Sequence, residues 1–394
     1  MKAPVYWGVL GCVFLLALGV SRLHLTDVLQ DIDVLVLLFL IFLFIKRLFM
    51  RKMVLSTASG AALMASGIFL SGAFHHFPVL NSALGKPAAL ALFLLWFWMM
   101  AYYIKEFLRK DERERHVEHP IRSFAVGTWI AATSVSGTVL YHRLPELKWV
   151  AEGMAVIAGL LWLLFFILCL KNFTKVIMKR LYSGVHGIVL LSTVSTQSIV
   201  IFYSTLFDSI IPRTFMEVFL AIGAVFYGLG LFLVLKRYFS CKLADLNKQW
   251  TNTNCILHGA MSITGLAGIL SGTIPLEVAE GIWIWALVWF VIVEVCEIFR
   301  GVARVRAFGL VRGIGTYDVS QWARNFTFGM FFAFTANVSL PADSFWAGVQ
   351  AFILSYGAWI VLLLFVNELG LFIKGNGKRR AFKASFMNDR SHSS

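Results

Sequence analysis

Apolar segments long enough to cross a membrane follow one another along the chain. Crossing a hydrocarbon core of about 30 Å as a helix takes roughly 20 apolar residues. The pattern predicts an all-α integral membrane protein with about twelve transmembrane helices. The short alternating stretches of a β-barrel are missing. The predicted spans are about 4–21, 32–50, 54–74, 86–107, 120–141, 148–170, 183–204, 213–235, 253–274, 278–299, 320–340 and 344–373.

Alternate segments differ in composition. In matched 21-residue windows over segments three to twelve, Ser, Thr and Gly total 37 in the odd-numbered segments and 10 in the even-numbered ones. Lipid solvates bulky apolar side chains well, whereas small and hydroxylated residues belong where helices pack closely or meet water. The pattern therefore predicts inner helices that alternate with outer ones, an arrangement that suits a solute passage.

The distribution of positive charge predicts the topology. The chain carries 35 Lys and Arg residues and a net charge of +14. With the N-terminus placed in the cytoplasm, 29 of these residues fall in cytoplasmic segments and 5 in external loops. This is the bias that the positive-inside rule describes. We therefore expect a multi-pass protein of the cell membrane, with both termini cytoplasmic and basic loops that attract anionic lipid rather than nucleic acid.

Polar residues inside the odd-numbered segments are candidates for lining a pore. Hydroxyls and amides can replace part of a solute's water shell without placing a fixed charge in the membrane. For any one of them the alternative is helix packing, with the hydroxyl bonded back to a carbonyl. Segments three, five, seven and nine contain no Asp or Glu, which favours anions as the solute. The candidate lining residues are Ser66, Thr133, Ser134, Ser195, Thr196, Gln197, Ser198, His258, Ser262 and Arg324.

Other classes of protein receive less support. Paired catalytic carboxylates, a nucleophile elbow, a P-loop and a nucleotide-binding fingerprint are all missing, so we do not expect an enzyme. No Cys or carboxylate stands at ligand spacing beside His186 or His258, so we predict neither a metal nor a cofactor. Two alternatives stay open: a receptor or scaffold whose polar helices simply pack, and a haem protein that uses His75, His76, His186 and His258.

Four motifs in the chain resemble those of a known family. Residues 61–69 read A-A-L-M-A-S-G-I-F, residues 119–124 read H-P-I-R-S-F, residues 193–198 read T-V-S-T-Q-S, and residues 321–330 read Q-W-A-R-N-F-T-F-G-M. In order and spacing they are similar to motifs of the tellurite-resistance/dicarboxylate transporter family, which shares its fold with plant slow anion channels. The resemblance runs from segment three to segment twelve.

The resemblance implies a fold and a function. The fold is five tilted helical hairpins around a central pore, lined by the odd-numbered helices and closed by an aromatic side chain. The function is transport of small anions of the dicarboxylate or tellurite type, by a carrier or a channel. Members of the family are often trimeric, so the resemblance implies a homotrimer. The predicted domains are an extra N-terminal hairpin (1–50), the ten-helix core (51–374) and a basic cytoplasmic tail (375–394), disordered beyond about Phe386.

The gate is predicted on segment eleven. The resemblance aligns Phe326 with the aromatic residue of the family motif. At about 100° per residue, one face of this helix carries Phe326, Gly329, Met330, Ala333 and Asn337, and another carries Arg324, Phe328, Phe331 and Thr335. Both faces cannot line one pore. We predict Phe326 as the gate, with Phe328 as the alternative if the face that carries Arg324 meets the solute.

Overall fold

The computed structural model describes Leu43 and residues 55–208, 210–239 and 249–391, with side chains up to residue 375 except at 111, 112 and 115. The predicted spans 4–21 and 32–50 lie outside the described residues apart from Leu43. The count of twelve helices, and the extra hairpin at 1–50, therefore remain predictions. The described part of the chain forms the long helices α1 (Gly60–Ser71), α2 (Pro78–Phe107), α3 (Gly127–Arg143), α4 (Lys148–Met178), α5 (Leu191–Phe207), α6 (Arg213–Phe239), α7 (Ile256–Leu270), α8 (Leu276–Gly313), α9 (Gln321–Asn337) and α10 (Phe345–Ser391).

Short elements connect these helices and begin several of them. A helix at Lys110–Val117 lies between α2 and α3. Helices α1, α3, α5 and α7 each follow directly on a 3₁₀ turn, at Thr57–Ser59, Arg122–Val126, Gly187–Leu190 and Asn252–Cys255 respectively. Helix α8 is interrupted at Gly309, whose φ of +74° is a conformation that glycine adopts at little cost. The structure describes the backbone of α10 as helical to Ser391, whereas the sequence predicts disorder beyond about Phe386. No proline interrupts this stretch.

The five odd-numbered helices form a closed ring. Helix α1 packs on α3, α3 on α5, α5 on α7, α7 on α9, and α9 returns to α1. Glycines allow the close approach: a Cβ atom at Gly137 of α3 would overlap the ring of Phe202 on α5. A Cβ atom at Gly265 of α7 would likewise overlap the ring of Phe334 on α9. Small residues are therefore required where neighbouring inner helices meet.

The even-numbered helices lie outside this ring. The apolar window is 89% buried in the span Arg122–Arg143 and also in Gly187–Phe207, but only 33% buried in Arg213–Phe239 and 17% in Phe345–Gly375. The outer helices instead expose large apolar side chains such as Leu164 and Leu363, each 66% exposed, as helices facing lipid do. The predicted alternation of inner and outer helices, and the five hairpins around a central ring, are thus confirmed for the described part of the chain.

Candidate pore and gate

Two cavities lie inside the ring of inner helices. The narrow cavity has a volume of about 30 Å³ and is lined by Ala58, Ala61, Met64, Thr128, Ile188, Leu191, Val194, Thr253, Ile256, Val319, Ser320, Ala323 and Phe326. The wide cavity has a volume of about 470 Å³ and is lined by residues farther along the same helices: Ile68, Ser71, Ser134, Val135, Thr138, His142, Ser198, Ile201, Ser204, Thr205, Asp208, Ile263, Leu266, Leu270, Met330, Ala333 and Asn337. Both cavities touch all five inner helices.

A constriction separates the two cavities at Phe326. On α9 the lining of the narrow cavity ends at Phe326, and that of the wide cavity begins at Met330, one helical turn later. On α5 the same step runs from Val194 to Ser198. Among the described residues, Phe326 is the only aromatic one that lines the narrow cavity, and it is 2% exposed. Its ring therefore lies at the end of the narrow cavity that is nearer to the wide one.

The electrostatics of these cavities favour negative charge at the narrow end. Residues from the first turns of all five inner helices line the narrow cavity, Ala61 on α1 and Ala323 on α9 among them. A helix N-terminus carries roughly half a positive elementary charge, so five of them converge here. Within the part of the chain that the structure describes, no Asp, Glu, Lys or Arg lines the narrow cavity. In the wide cavity the ionisable lining residues are His142 and Asp208, both exposed at its mouth.

Phe328, the alternative gate, faces an outer helix instead. Its ring centroid lies 4.9 Å from that of Phe290 on α8 and 6.2 Å from that of His258 on α7. The guanidinium of Arg324 lies 5.6 Å above the same ring. Phe328 lines neither the narrow nor the wide cavity. The structure thus brings Phe326 to the cavities and places Phe328 between α7, α8 and α9.

Arg324 was predicted to line the pore, and the structure turns it away from the ring. Its guanidinium is paired with Glu294 of α8 and lies 3.9 Å from a carboxylate oxygen of Glu297. Glu297 also accepts hydrogen bonds from Arg300 at 3.0 Å and from the indole of Trp250 at 2.9 Å. Two carboxylates on α8 compensate the guanidinium, so α8 rather than the solute path attracts it. Arg324 instead borders an off-axis cavity of about 490 Å³ between α8, α9 and α10.

Ser134 and Ser198 line the wide cavity, but three neighbouring candidates face outer helices. Thr133 accepts a hydrogen bond from the indole of Trp96 on α2, at 2.9 Å. Thr196 accepts one from Trp162 on α4, at 3.0 Å. The side-chain amide of Gln197 donates to the carbonyl of Leu220 on α6, at 3.1 Å. A shift of one or two positions along a helix rotates a side chain by about 100° or 200°, which separates these two groups.

The remaining candidates also lie away from both cavities. The hydroxyls of Ser195 and Ser262 donate to the carbonyls of Ser192 and His258 within their own helices. The ring of His258 is fully buried against Phe290, at 4.9 Å between centroids, and neither ring nitrogen has a hydrogen-bond partner among the described residues. Ser66 borders a lateral cavity of about 700 Å³ between α1, α2 and α10. These four were predicted to line the pore; their placement supports helix packing.

A repeated contact between outer and inner helices was missed in the sequence. Among the described residues, an indole N–H of an outer helix donates to a threonine hydroxyl of the next inner helix at three junctions between neighbouring hairpins: Trp96 to Thr133, Trp162 to Thr196, and Trp283 to Thr335. Each threonine in turn donates to the carbonyl four residues earlier. A tryptophan in an even-numbered segment and a threonine in the next odd-numbered one are the signals that could have shown it.

The histidines proposed for a haem do not converge. A ring nitrogen of His75 lies 3.1 Å from the guanidinium of Arg143, where α3 ends, and Nδ1 of His186 lies 2.7 Å from the hydroxyl of Thr253, just before α7. His76 packs edge-on against Phe332. Within the described residues, no group of three or more His, Cys, Asp or Glu side chains could hold a metal ion.

Comparison with known proteins places the chain in a family. The model of the family SLAC1, voltage-dependent anion channel, matches residues 52–367, well over half of the chain. No curated protein matches the chain. Proteins of this family are channels or transporters for anions, not enzymes. The match agrees with the resemblance drawn from the four motifs. This multi-pass membrane protein therefore belongs to the voltage-dependent anion channel family, SLAC1, and serves anion transport.

Proposed function

We propose that the chain conducts small anions through the ring of inner helices, and that the ring of Phe326 closes the path. The observation that carries the proposal is that Phe326 lines the inner end of the narrow cavity, one helical turn before Met330, where the lining of the wide cavity begins on the same helix. The converging helix N-termini at the narrow cavity favour an anion over a cation. The absence of fixed charge from its lining lets an anion leave again, as conduction requires.

A dicarboxylate or tellurite-type substrate, implied by the resemblance, remains a prediction within this function. So do the choice between carrier and channel, and the homotrimer.

The experiment compares Phe326→Ala with Phe328→Ala in liposomes. Removal of the Phe326 ring joins the two cavities, so chloride efflux per reconstituted molecule should rise well above that of the wild type. Phe328→Ala removes the same ring two residues away, where it packs against Phe290. It should lower thermal stability, because it removes a partly buried ring that packs against its neighbours, and it should leave the path closed. If Phe328→Ala opens the protein and Phe326→Ala does not, the assignment of the gate is wrong.

A further inference from the structure

The hydroxyls that line the wide cavity are mostly committed as donors. A hydroxyl has one hydrogen to donate and two lone pairs to accept with. Thr138 donates its hydrogen to the carbonyl of Ser134 at 3.0 Å, and Ser198 donates to that of Ser195 at 2.8 Å. Ser71, Ser204 and Thr205 donate in the same way within their own helices. These groups present oxygen lone pairs to the cavity, and lone pairs repel an anion.

Ser134 is the exception among these hydroxyls. Its Oγ has no hydrogen-bond partner among the described residues, and the residue is 1% exposed. A buried hydroxyl left without a partner is unfavourable, so an acceptor that reached it would relieve this cost. Ser134 is also the first residue of α3 to line the wide cavity, as Ser198 is on α5 and Met330 on α9. The free donor therefore lies at the inner end of this cavity, beside the constriction.

We infer that the Ser134 hydroxyl is an anion-binding group: it donates a hydrogen bond to a small anion held at the inner end of the wide cavity. The ligand class is a halide or a small oxyanion, which accepts such a bond. No cationic side chain lines this end of the cavity, since His142 and Asp208 are the ionisable lining residues and both lie at the mouth. One hydrogen bond without a fixed charge gives the weak binding that passage requires. The inference rests on the proposed function and names a contact within it.

Two control positions lie on the same helix. Thr138→Ala removes a hydroxyl from the same cavity one turn away, but this hydroxyl is already bonded to a carbonyl. Ser136→Ala removes a buried hydroxyl that also lacks a partner but lines neither cavity inside the ring. Neither change removes a free donor from the cavity. Ser134→Ala itself breaks no hydrogen bond within the described part of the protein, so its fold should be preserved.

The first experiment measures chloride efflux from liposomes as a function of chloride concentration, in the Phe326→Ala background. With Ser134→Ala added, the half-saturating concentration should rise roughly tenfold, as expected for the loss of one hydrogen bond to a charged group. Thr138→Ala and Ser136→Ala should change it less than about twofold, a few tenths of a kcal/mol. A half-saturating concentration unchanged by Ser134→Ala, or shifted equally by Ser136→Ala, would overturn the inference.

A second experiment does not depend on flux. Ser198→Cys, made in a chain without the native cysteines, places a thiol in the wide cavity, and its rate of labelling is measured with and without iodide. Iodide should slow the labelling when Ser134 is present and should not slow it after Ser134→Ala. Equal protection in both variants would contradict the assignment. Protection that depends on Ser134, in a protein without anion flux in any variant, would instead retain the site and refute the proposed function.

Discussion

The indole N–H of Trp162 on α4 donates to the hydroxyl of Thr196 on α5, at 3.0 Å between two buried side chains. The hydroxyl of Thr196 also donates to the carbonyl of Ser192, at 2.8 Å. The threonine is therefore satisfied on both sides, and it fixes the rotation of an inner helix against its outer neighbour. The same relationship joins α2 to α3 and α8 to α9. Some hydroxyl groups of the inner helices thus bind neighbouring helices and do not face the solute.

Thr196→Val should lower stability without changing anion transport. The substitution keeps the side-chain volume but leaves the indole of Trp162 without its acceptor, which costs about 1–2 kcal/mol in a membrane interior. Thr193→Val is the matched control, because the hydroxyl of Thr193 is buried on the same helix and has no partner among the described residues. Thermal unfolding in detergent should show a lower Tm for the first variant only. Equal Tm values for the two variants would show that the Trp162 contact contributes nothing.

Removing the Arg324 side chain should destabilise the protein, because carboxylates on α8 then lose a compensating positive charge. Arg324→Leu leaves Glu294 without its partner on α9, whereas Glu297 keeps Arg300. The pair is partly exposed, so the loss should be smaller than the roughly 3–5 kcal/mol for breaking a buried ion pair from one side. Replacing Glu294 with Leu as well should restore much of the lost stability, since the pair is then replaced by apolar side chains. Chemical denaturation of the single and double variants measures this coupling.

A permeability measurement tests whether Arg324, paired with Glu294, also acts on the solute. In the Phe326→Ala background, Arg324→Leu should leave the ratio of anion to cation permeability unchanged, because the side chain faces α8. A fall in this ratio with no loss of stability would return Arg324 to the pore.

Composition predicted the fold because lipid and neighbouring helices demand different side chains. Bulky residues such as Leu164 can face lipid, whereas Gly137 must be small because the ring of Phe202 packs against it. A count of small residues therefore distinguishes outer from inner helices. The composition of a helix does not predict its rotation about its own axis. Thr133 and Ser134 are adjacent and similar, yet one meets Trp96 and the other the wide cavity. Only the position of the neighbouring helix distinguishes them.

The gate helix shows the same limit. Counting positions on a helical wheel separated the face of Phe326 from the face of Arg324, and the structure keeps them apart. The wheel could not say which face meets the cavities, because the partner of Arg324 is Glu294, on another helix and distant in sequence. The choice of Phe326 came from the resemblance to a family. The role of Arg324 could therefore not be assigned until its partner, Glu294, was known.

Cysteine labelling should separate the two faces of α5. Ser198→Cys lies in the wide cavity, whereas Thr196→Cys faces Trp162 and is buried between helices. In a chain without native cysteines, a membrane-impermeant thiol reagent applied from the side of the wide cavity should label Ser198→Cys many times faster. Leu164→Cys, on the lipid-facing surface of α4, provides a second protected position, since an impermeant reagent cannot reach it through lipid. Similar rates at Ser198 and Thr196 would indicate packing at both positions and no water-filled cavity.

Both termini should lie on the cytoplasmic side of the cell membrane. The prediction rests on the 29 Lys and Arg residues that fall on one side against 5 on the other, a bias held at every link between hairpins. The inner helices begin on the side where the basic segments lie, so with this topology their positive ends would meet the narrow cavity on the cytoplasmic side. An anion from the cytoplasm would then reach the narrow cavity before Phe326, and the wide cavity would face outward.

A protease-sensitive tag after Ser394 should be cleaved only after the cells are permeabilised, and one before Met1 should behave identically. Cleavage of either tag on intact cells would contradict this orientation, and cleavage of one alone would show an odd number of spans, which excludes the extra hairpin predicted at residues 1–50.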